Sequence, residues 1–379
     1  MIRLIVIIII AGASFMFNAM CPSEYMEERE LMIQNAVMKI LEEAHFDPED
    51  INNEFSEKVF DYYLEYIDPY KRFYTQEDVK SLEKYRLQID DQVRANELIF
   101  FDASVEIMQN RIKEVQDYYK EIIQQDFDFS LNESYELDAE KRNFPTNSAE
   151  LKDSWKRSLK YEIVTKVARK IEQYKEREEQ KTTEEIEKES IAEVKENFDD
   201  WFKRFNQQRR SDRFGRYLNS FTHIFDPHSD YLSPKEKQDF DISMGGKLEG
   251  IGARLSKDGD LTKVVYVVPG GPVWRDKRIV VNDNILKVKQ EKEEEAVDIF
   301  GMRLDDVVQL IRGKKGTVVT LTIKKNDGSI ADINLVRDIV NTQESLARSA
   351  LIDIPGVIEN VGYINLPKFY SSFEGKNGN

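Results

Sequence analysis

The sequence has one cysteine, three histidines and no excess of basic residues. With a single thiol no disulfide can staple the chain, and a Cys-rich metal site is excluded. His223 and His228 stand five residues apart, which does not match a helical metal pair, and no third histidine lies close. The plentiful Asp and Glu show no EF-hand spacing, so neither a metal nor a cofactor is expected. There are 55 Lys and Arg against 71 Asp and Glu, a net charge of -16. A chain so acidic lacks the basic face of a nucleic-acid binder and would adsorb poorly to an anionic membrane.

Long apolar runs are also missing, except at the start. Arg3 is followed by LIVIIII at residues 4–10 and by Ala11-Gly12-Ala13. That run is short for a membrane span and fits a secretory signal peptide over residues 1–21. Cys21 falls at its end, but Met20 is a poor residue before a lipidated cysteine. Export to the periplasm or envelope of a Gram-negative-type bacterium is the expectation, with lipid anchoring at Cys21 the less favoured variant.

What is present is mostly helical. From about residue 24 to 225, apolar residues recur at three and four. Met32, Ala36, Val37, Ile40, Leu41 and Ala44 form one series, and Phe55, Val59, Phe60, Tyr63, Leu64 and Ile67 another. Thr75 followed by Asp78 predicts a helix start. Leu151, Trp155, Leu159, Ile163, Val167 and Ile171 step by four through a long helix. Residues 126–147 lose the period and read as an irregular connector with short extended pieces. Residues 170–196 are dense in Glu and Lys, a solvated helix face without assigned function. Trp155, Trp201 and Trp274 read as core or packing residues.

At FDPHSDYLSP, residues 225–234, the helical pattern stops, and residues 226–244 read as a linker. Beyond Gly245 the pattern is that of strands, with β-branched runs at 264–268 and 318–323 and a hairpin signal at Asp327-Gly328. One helix interrupts them, with Leu304, Val307, Val308 and Ile311 on one face and Gly313 as its stop. His228, Ser229 and Asp230 are adjacent on one loop and so cannot converge as a triad. Asp226 and Asp230 fit turn hydrogen bonds, with His228 capping or packing.

The stretch KLEGIGARL, residues 247–255, is the candidate site. Gly250 and Gly252 flank Ile251, the arrangement of a loop whose N–H groups meet an anion. A phosphate is disfavoured, because no third glycine, no Lys-Ser/Thr and no helix follow. A peptide carboxylate fits better. It would be held by Gly250, Ile251, Gly252 and Ala253, while the peptide adds as a strand beside Ala253 to Leu255. Leu248, Leu255, Leu304, Val308 and Ile311 would line the pocket for its last side chain.

LEGIGARL, VVPGGPVWRDKRIVVNDNI and GMRLDDVVQLIRGKKGTVVTLTI together resemble the PDZ domain of the tail-specific (C-terminal processing) proteases. DPHSDYLSPKEKQDF is similar to the segment leading into that domain. VGYINLPKFYSSF resembles the strand that opens the protease core, and FDFS with LKDSWKRSLKYEIV resembles the N-terminal region. Where the family has Gly-Asp, this chain has Asn282-Asp283, and Asn tolerates a left-handed turn. The acidic loop at residues 291–295 reads as solvated.

The resemblance implies an α+β multidomain fold. Its parts are a helical N-terminal domain at 24–225, a PDZ-like β-rich domain at 245–338 and, at 339–379, the start of a protease core. It implies a serine endopeptidase with a Ser-Lys dyad that acts on envelope proteins with apolar C-terminal tails, with an adaptor protein as an optional partner. The family's serine and lysine lie beyond residue 379. The 379-residue chain is therefore read as an N-terminal portion that binds but does not cut, with no catalytic residue of its own. The alternatives are a non-catalytic peptide-binding adaptor and a scaffold.

Overall fold

The computed structural model describes residues 22–177, 181–245, 247–341, 347–354 and 358–366. The expected signal segment and Cys21 lie outside them. The chain divides into two compact units, one ending at Tyr231 and the other beginning at Leu232. No described helix is long and apolar enough to cross a membrane.

The first unit is helical: α1 (Pro22–Ala44), α2 (Asn53–Ile67), α3 (Gln76–Leu82), α4 (Ile89–Ala95), α5 (Ile99–Ile122), α6 (Ser148–Glu176), α7 (Thr183–Asn206) and α8 (Arg210–Phe225). Side-chain caps set several starts. Asn52 accepts from the Glu54 and Phe55 N–H groups, and Thr75 with Asp78 forms the expected capping box. On α2 the expected stripe is buried from Phe55 to Leu64. On α1 it is not: Met32 and Ile40 are exposed, while Glu30, Gln34, Met38 and Leu41 face inward. Two polar residues on the buried face hide the true period from a hydrophobicity reading.

The long helix α6 buries Leu151, Trp155, Leu159 and Ile163, but Ile171 is exposed. A step of four residues on a 3.6-residue helix rotates about 40° each time, so the stripe leaves the core before the helix ends. The Glu/Lys-rich tract spans two helices, not one face. Thr182 and Glu185 form a capping box that starts α7, and Lys166 and Lys170 of α6 reach Glu193 of α7. Residues 126–147 hold a short 3₁₀ turn at Ala139–Lys141 and no described strand. The unit's core is rich in rings: Phe73 lies against Phe205 and Trp201, Phe101 against Tyr217, and Trp155 against Phe202.

The second unit opens with α9 (Pro234–Gly245), so the expected linker is partly helical. Pro234 sits at the helix start, where its missing N–H costs nothing, and so begins a helix instead of preventing one. Then follow β1 (Lys247–Gly250), β2 (Ala253–Asp258), β3 (Leu261–Val267), α10 (Pro272–Asp276), β4 (Asn284–Gln290), β5 (Val297–Asp298), α11 (Leu304–Ile311), β6 (Val318–Lys324), β7 (Ile330–Val336) and β8 (Asp338–Asn341). The main sheet runs β2-β3-β4-β6-β7, with β5 beside β4, and all its pairs are antiparallel. β1 pairs with β8 apart from it, Leu248 opposite Val340.

Inside lie Ile251, Val264, Val273, Ile285, Val288, Val307, Leu321 and other aliphatic residues, with no aromatic ring among the buried members. Asp327-Gly328 closes the β6–β7 hairpin, the Lys325 N–H donating to Ser329 O at 2.8 Å. Asn282 takes the left-handed turn at φ 75°. The remaining strands are β9 (Arg348–Ile354) and β10 (Ile358–Asn365), an antiparallel pair. The strand expected at VGYIN is β10. The structure is thus the α+β, helical-then-β-rich organisation that the resemblance implies.

Candidate functional site

The stretch read as an anion loop links β1 to β2. The Ile251 carbonyl accepts from the Val273 N–H and the Gly252 carbonyl from the Val268 N–H, each at 2.9 Å. Those two bonds fix the loop against the start of α10. Among the described residues, no backbone carbonyl accepts from the Ile251 or Gly252 N–H. The loop therefore has its acceptors engaged and two adjacent donors free, the polarity that an anion needs.

The two glycines are not equivalent. Gly252 has φ +73°, and a Cβ there would meet the Gly271 Cα at 3.1 Å. Conformation and space both require glycine at 252. At Gly250 the nearest atom to an added Cβ is Arg312 Cγ at 3.9 Å, ordinary contact distance. Gly250 thus owes its place to neither strain nor crowding.

β2 is an edge strand of the sheet, paired on one side with β3. Its residues alternate: Ala253 and Leu255 are half-buried against the core, Arg254 and Ser256 exposed. An edge that begins at free N–H donors can receive another chain by strand addition. α11 packs against β2, and its Leu304 and Val308 are half-buried. Two expected pocket residues are placed differently. Ile311 is only 4% exposed and belongs to the core with Val307, because the helix turns that side fully inward. Leu248 lies on the β1–β8 ribbon, opposite Val340. Trp274, read as a core or packing residue, is half exposed on α10.

Two arginines that the sequence reading passed over shape this site. Arg312 follows α11, its stem beside Gly250, and donates to Asp239 of α9 at 2.6 Å. Asp239 also meets Lys235 at 3.2 Å. Burial raises the Asp239 pKa, but hydrogen bonds from Arg312 and Lys235 outweigh it and hold the carboxyl below its ordinary value. Arg337 is 3% exposed and donates to the Ile311 and Leu310 carbonyls at 2.8 and 3.2 Å, and to Gln290 Oε1 at 2.7 Å. It caps the end of α11, and burial pushes its pKa down. Gly313, expected as the helix stop, is not left-handed. It leaves room for Arg337, whose Nε would lie 2.9 Å from a Cβ at that position. The basic Arg312 just past the helix was the available signal, but its pairing with Asp239, 73 positions away, and that of Arg337 with Ile311, 26 positions away, were not legible.

The loop with the adjacent His228, Ser229 and Asp230 makes turn hydrogen bonds instead. Asp226 accepts from the His228 N–H and the Ser229 hydroxyl, while Asp230 meets His223 Nε2 at 2.7 Å and Tyr62 meets its Nδ1 at 2.8 Å. His228 is exposed. Among the described residues no group of three His, Cys, Asp or Glu is placed to hold a metal ion.

Comparison with known proteins matches residues 37–235 to the tail specific protease N-terminal domain and residues 239–324 to the PDZ domain. The tail-specific protease of Haemophilus influenzae is 30% identical over 346 residues, covering 91% of this chain and 47% of that protein. The carboxy-terminal processing protease CtpA of Bacillus subtilis is 33% identical over 116 residues, 30% of this chain and 23% of that one. Among solved structures, the PDZ domain of a carboxy-terminal protease from Vibrio cholerae in complex with peptide is 42% identical. It covers 25% of this chain and 99% of that structure, with a TM-score of 0.24. This chain thus spans less than half the length of either curated relative. Its first unit carries the family's own N-terminal domain over more than half of the sequence, and the chain belongs to the tail-specific protease family.

Proposed function

We propose that the second unit captures the C-terminal tails of other proteins, and that the whole protein cleaves the proteins so captured. The observation that carries the reading is the pair of unengaged N–H groups at Ile251 and Gly252, standing at the head of an edge strand. A tail adding antiparallel to β2 would put its carboxylate at those donors. Its last side chain would fall between Leu255 and the Leu304–Val308 face of α11. An apolar last residue suits that lining. Arg312, beside Gly250, adds positive charge near the carboxylate.

The relatives' names supply the second half: proteases that process carboxy termini. In this reading a serine and a lysine outside residues 1–379 carry out the hydrolysis, and the substrates are exported proteins of the cell envelope. The division of labour follows from the chemistry. A backbone cradle binds but offers no nucleophile.

The test is titration of the 379-residue chain with a fluorescent decapeptide ending in Leu-Ala-Ala, as free acid and as C-terminal amide. Hydrogen bonds to a charged group are worth about 1.5–3 kcal/mol, so the acid should bind about ten- to a hundredfold tighter. Equal affinity for acid and amide would remove the carboxylate reading.

A further inference from the structure

A cavity in the first unit is lined by two arginines that the carboxylates around it do not pair. Arg213 and Arg216 lie one turn apart on α8 and line a small cavity, with Gln208 at its side and Ile67, Val105, Met108 and Phe205 as apolar walls. The room inside is about 20 Å³, enough for one small polar head and no more. The two tyrosines of the lining do not answer the arginines. Tyr63 hydrogen-bonds Ser104 Oγ at 3.0 Å and Tyr74 donates to the Ser104 carbonyl at 2.7 Å.

Neither arginine side chain makes an ion pair or a hydrogen bond with any described residue. One turn earlier, Arg210 meets Glu30 at 2.7 Å and Asp102 at 2.6 Å. Arg86 and Arg111 likewise hold carboxylates. Asp212, next in sequence to Arg213, accepts instead from the Arg209 N–H at the helix start. Arg213 is half-buried and Arg216 exposed, so in a chain with sixteen excess negative charges two neighbouring guanidinium groups stand at the cavity without an ion-paired carboxylate. Burial pushes the Arg213 pKa down, and Arg216 adds repulsion.

We propose that this cavity binds a single carboxylate carried on a short apolar stem and presented by a polypeptide. Two guanidinium forks one turn apart suit a carboxylate, and the first turns of α8 add the positive end of the helix. The apolar walls disfavour a multiply charged phosphate, whose desolvation two arginines would not offset. A chain-terminal carboxylate and a glutamate side chain share this chemistry.

The experiment is mapping of arginine modification by phenylglyoxal on the full 379-residue chain, read at α8 by mass spectrometry. The probes are N-acetyl-leucine, N-acetylglutamic acid α-amide, N-acetyl-leucinamide and inorganic phosphate. One of the two acids should protect Arg213 and Arg216 about tenfold better than the leucinamide, and the better acid identifies the source. Absence of protection by both acids, or equal protection by phosphate, overturns the proposal. Arg213→Gln supplies a second readout. With an unanswered charge removed, the variant should melt no lower than the parent and lose carboxylate protection at Arg216. A drop of several degrees would make Arg213 a structural residue and sink the idea. Because the readout is confined to α8, it is independent of the loop at Gly252.

Discussion

The two units are solid in different ways. The helical unit is filled with rings, among them Phe55, Phe60, Phe100, Phe101, Tyr63 and Tyr217, all buried. The buried core of the β-rich unit is aliphatic throughout, largely Val and Ile. Large rings let long helices meet at varied angles while filling the gaps between them. β-Branched side chains instead suit the pleated face of a sheet. The difference also locates function. The helical unit turns the hydroxyls of Tyr63, Tyr74 and Tyr119 inward onto partners, whereas the β-rich unit leaves main-chain donors unengaged at its edge.

Truncation of a ring should separate the units most sharply. Phe100 is fully buried and touches Phe60, Tyr63, Tyr85 and Tyr217. Phe100→Ala should cost about 3–5 kcal/mol in the helical unit's denaturant transition while tail binding at β2 stays unchanged. A matching loss of tail affinity would show that the two units do not behave independently.

Alkali offers a smaller and reversible contrast. Burial pushes the Tyr63 pKa up to about 12 from its ordinary 10. The folded unit keeps this proton while the unfolded chain gives it up, so stability is full below pH 10 and lost as pH rises toward 12. A shift of that size corresponds to about 2–3 kcal/mol. In the second unit Tyr266 and Tyr363 are exposed, so far-ultraviolet circular dichroism should show helix lost before strand between pH 10 and 12. Simultaneous loss of both signals would contradict the assignment.

The smallest change in stability carries the largest meaning for the site. Gly252→Ala places a Cβ at a left-handed position, 3.1 Å from the Gly271 Cα. It should cost about 1–2 kcal/mol of stability and at least about tenfold in tail affinity. Gly250→Ala, with its nearest contact at 3.9 Å, is the control and should leave the fold in place. Loss of binding in both variants alike would mean that the loop geometry is not what discriminates.

Much of this was legible in the sequence, for identifiable reasons. Periodicity marks α2 because its buried face is apolar from Phe55 to Leu64. It misplaces the face of α1, because Glu30 and Gln34 are buried polar residues. The Asn282 turn and the Asp327-Gly328 hairpin are local, and the sequence carries them entire. The Gly252 loop was found because glycine there is required by conformation as well as by space. Arg312, Arg337 and the Arg213–Arg216 pair were missed, because each takes its meaning from residues distant in the chain. A cation reads as solvated surface until its neighbours are known.

The contact of Gly252 with Gly271 has a consequence for how such a binder can diversify. Main chain rests on main chain there, so in the proposed binding mode the donors for a carboxylate come from backbone that glycine at 252 shapes, not from a functional side chain. If tails bind in that mode, Leu255, Leu304 and Val308 would be free to vary, and tail preference could be rewritten at those three positions while the grip on the chain end stays the same.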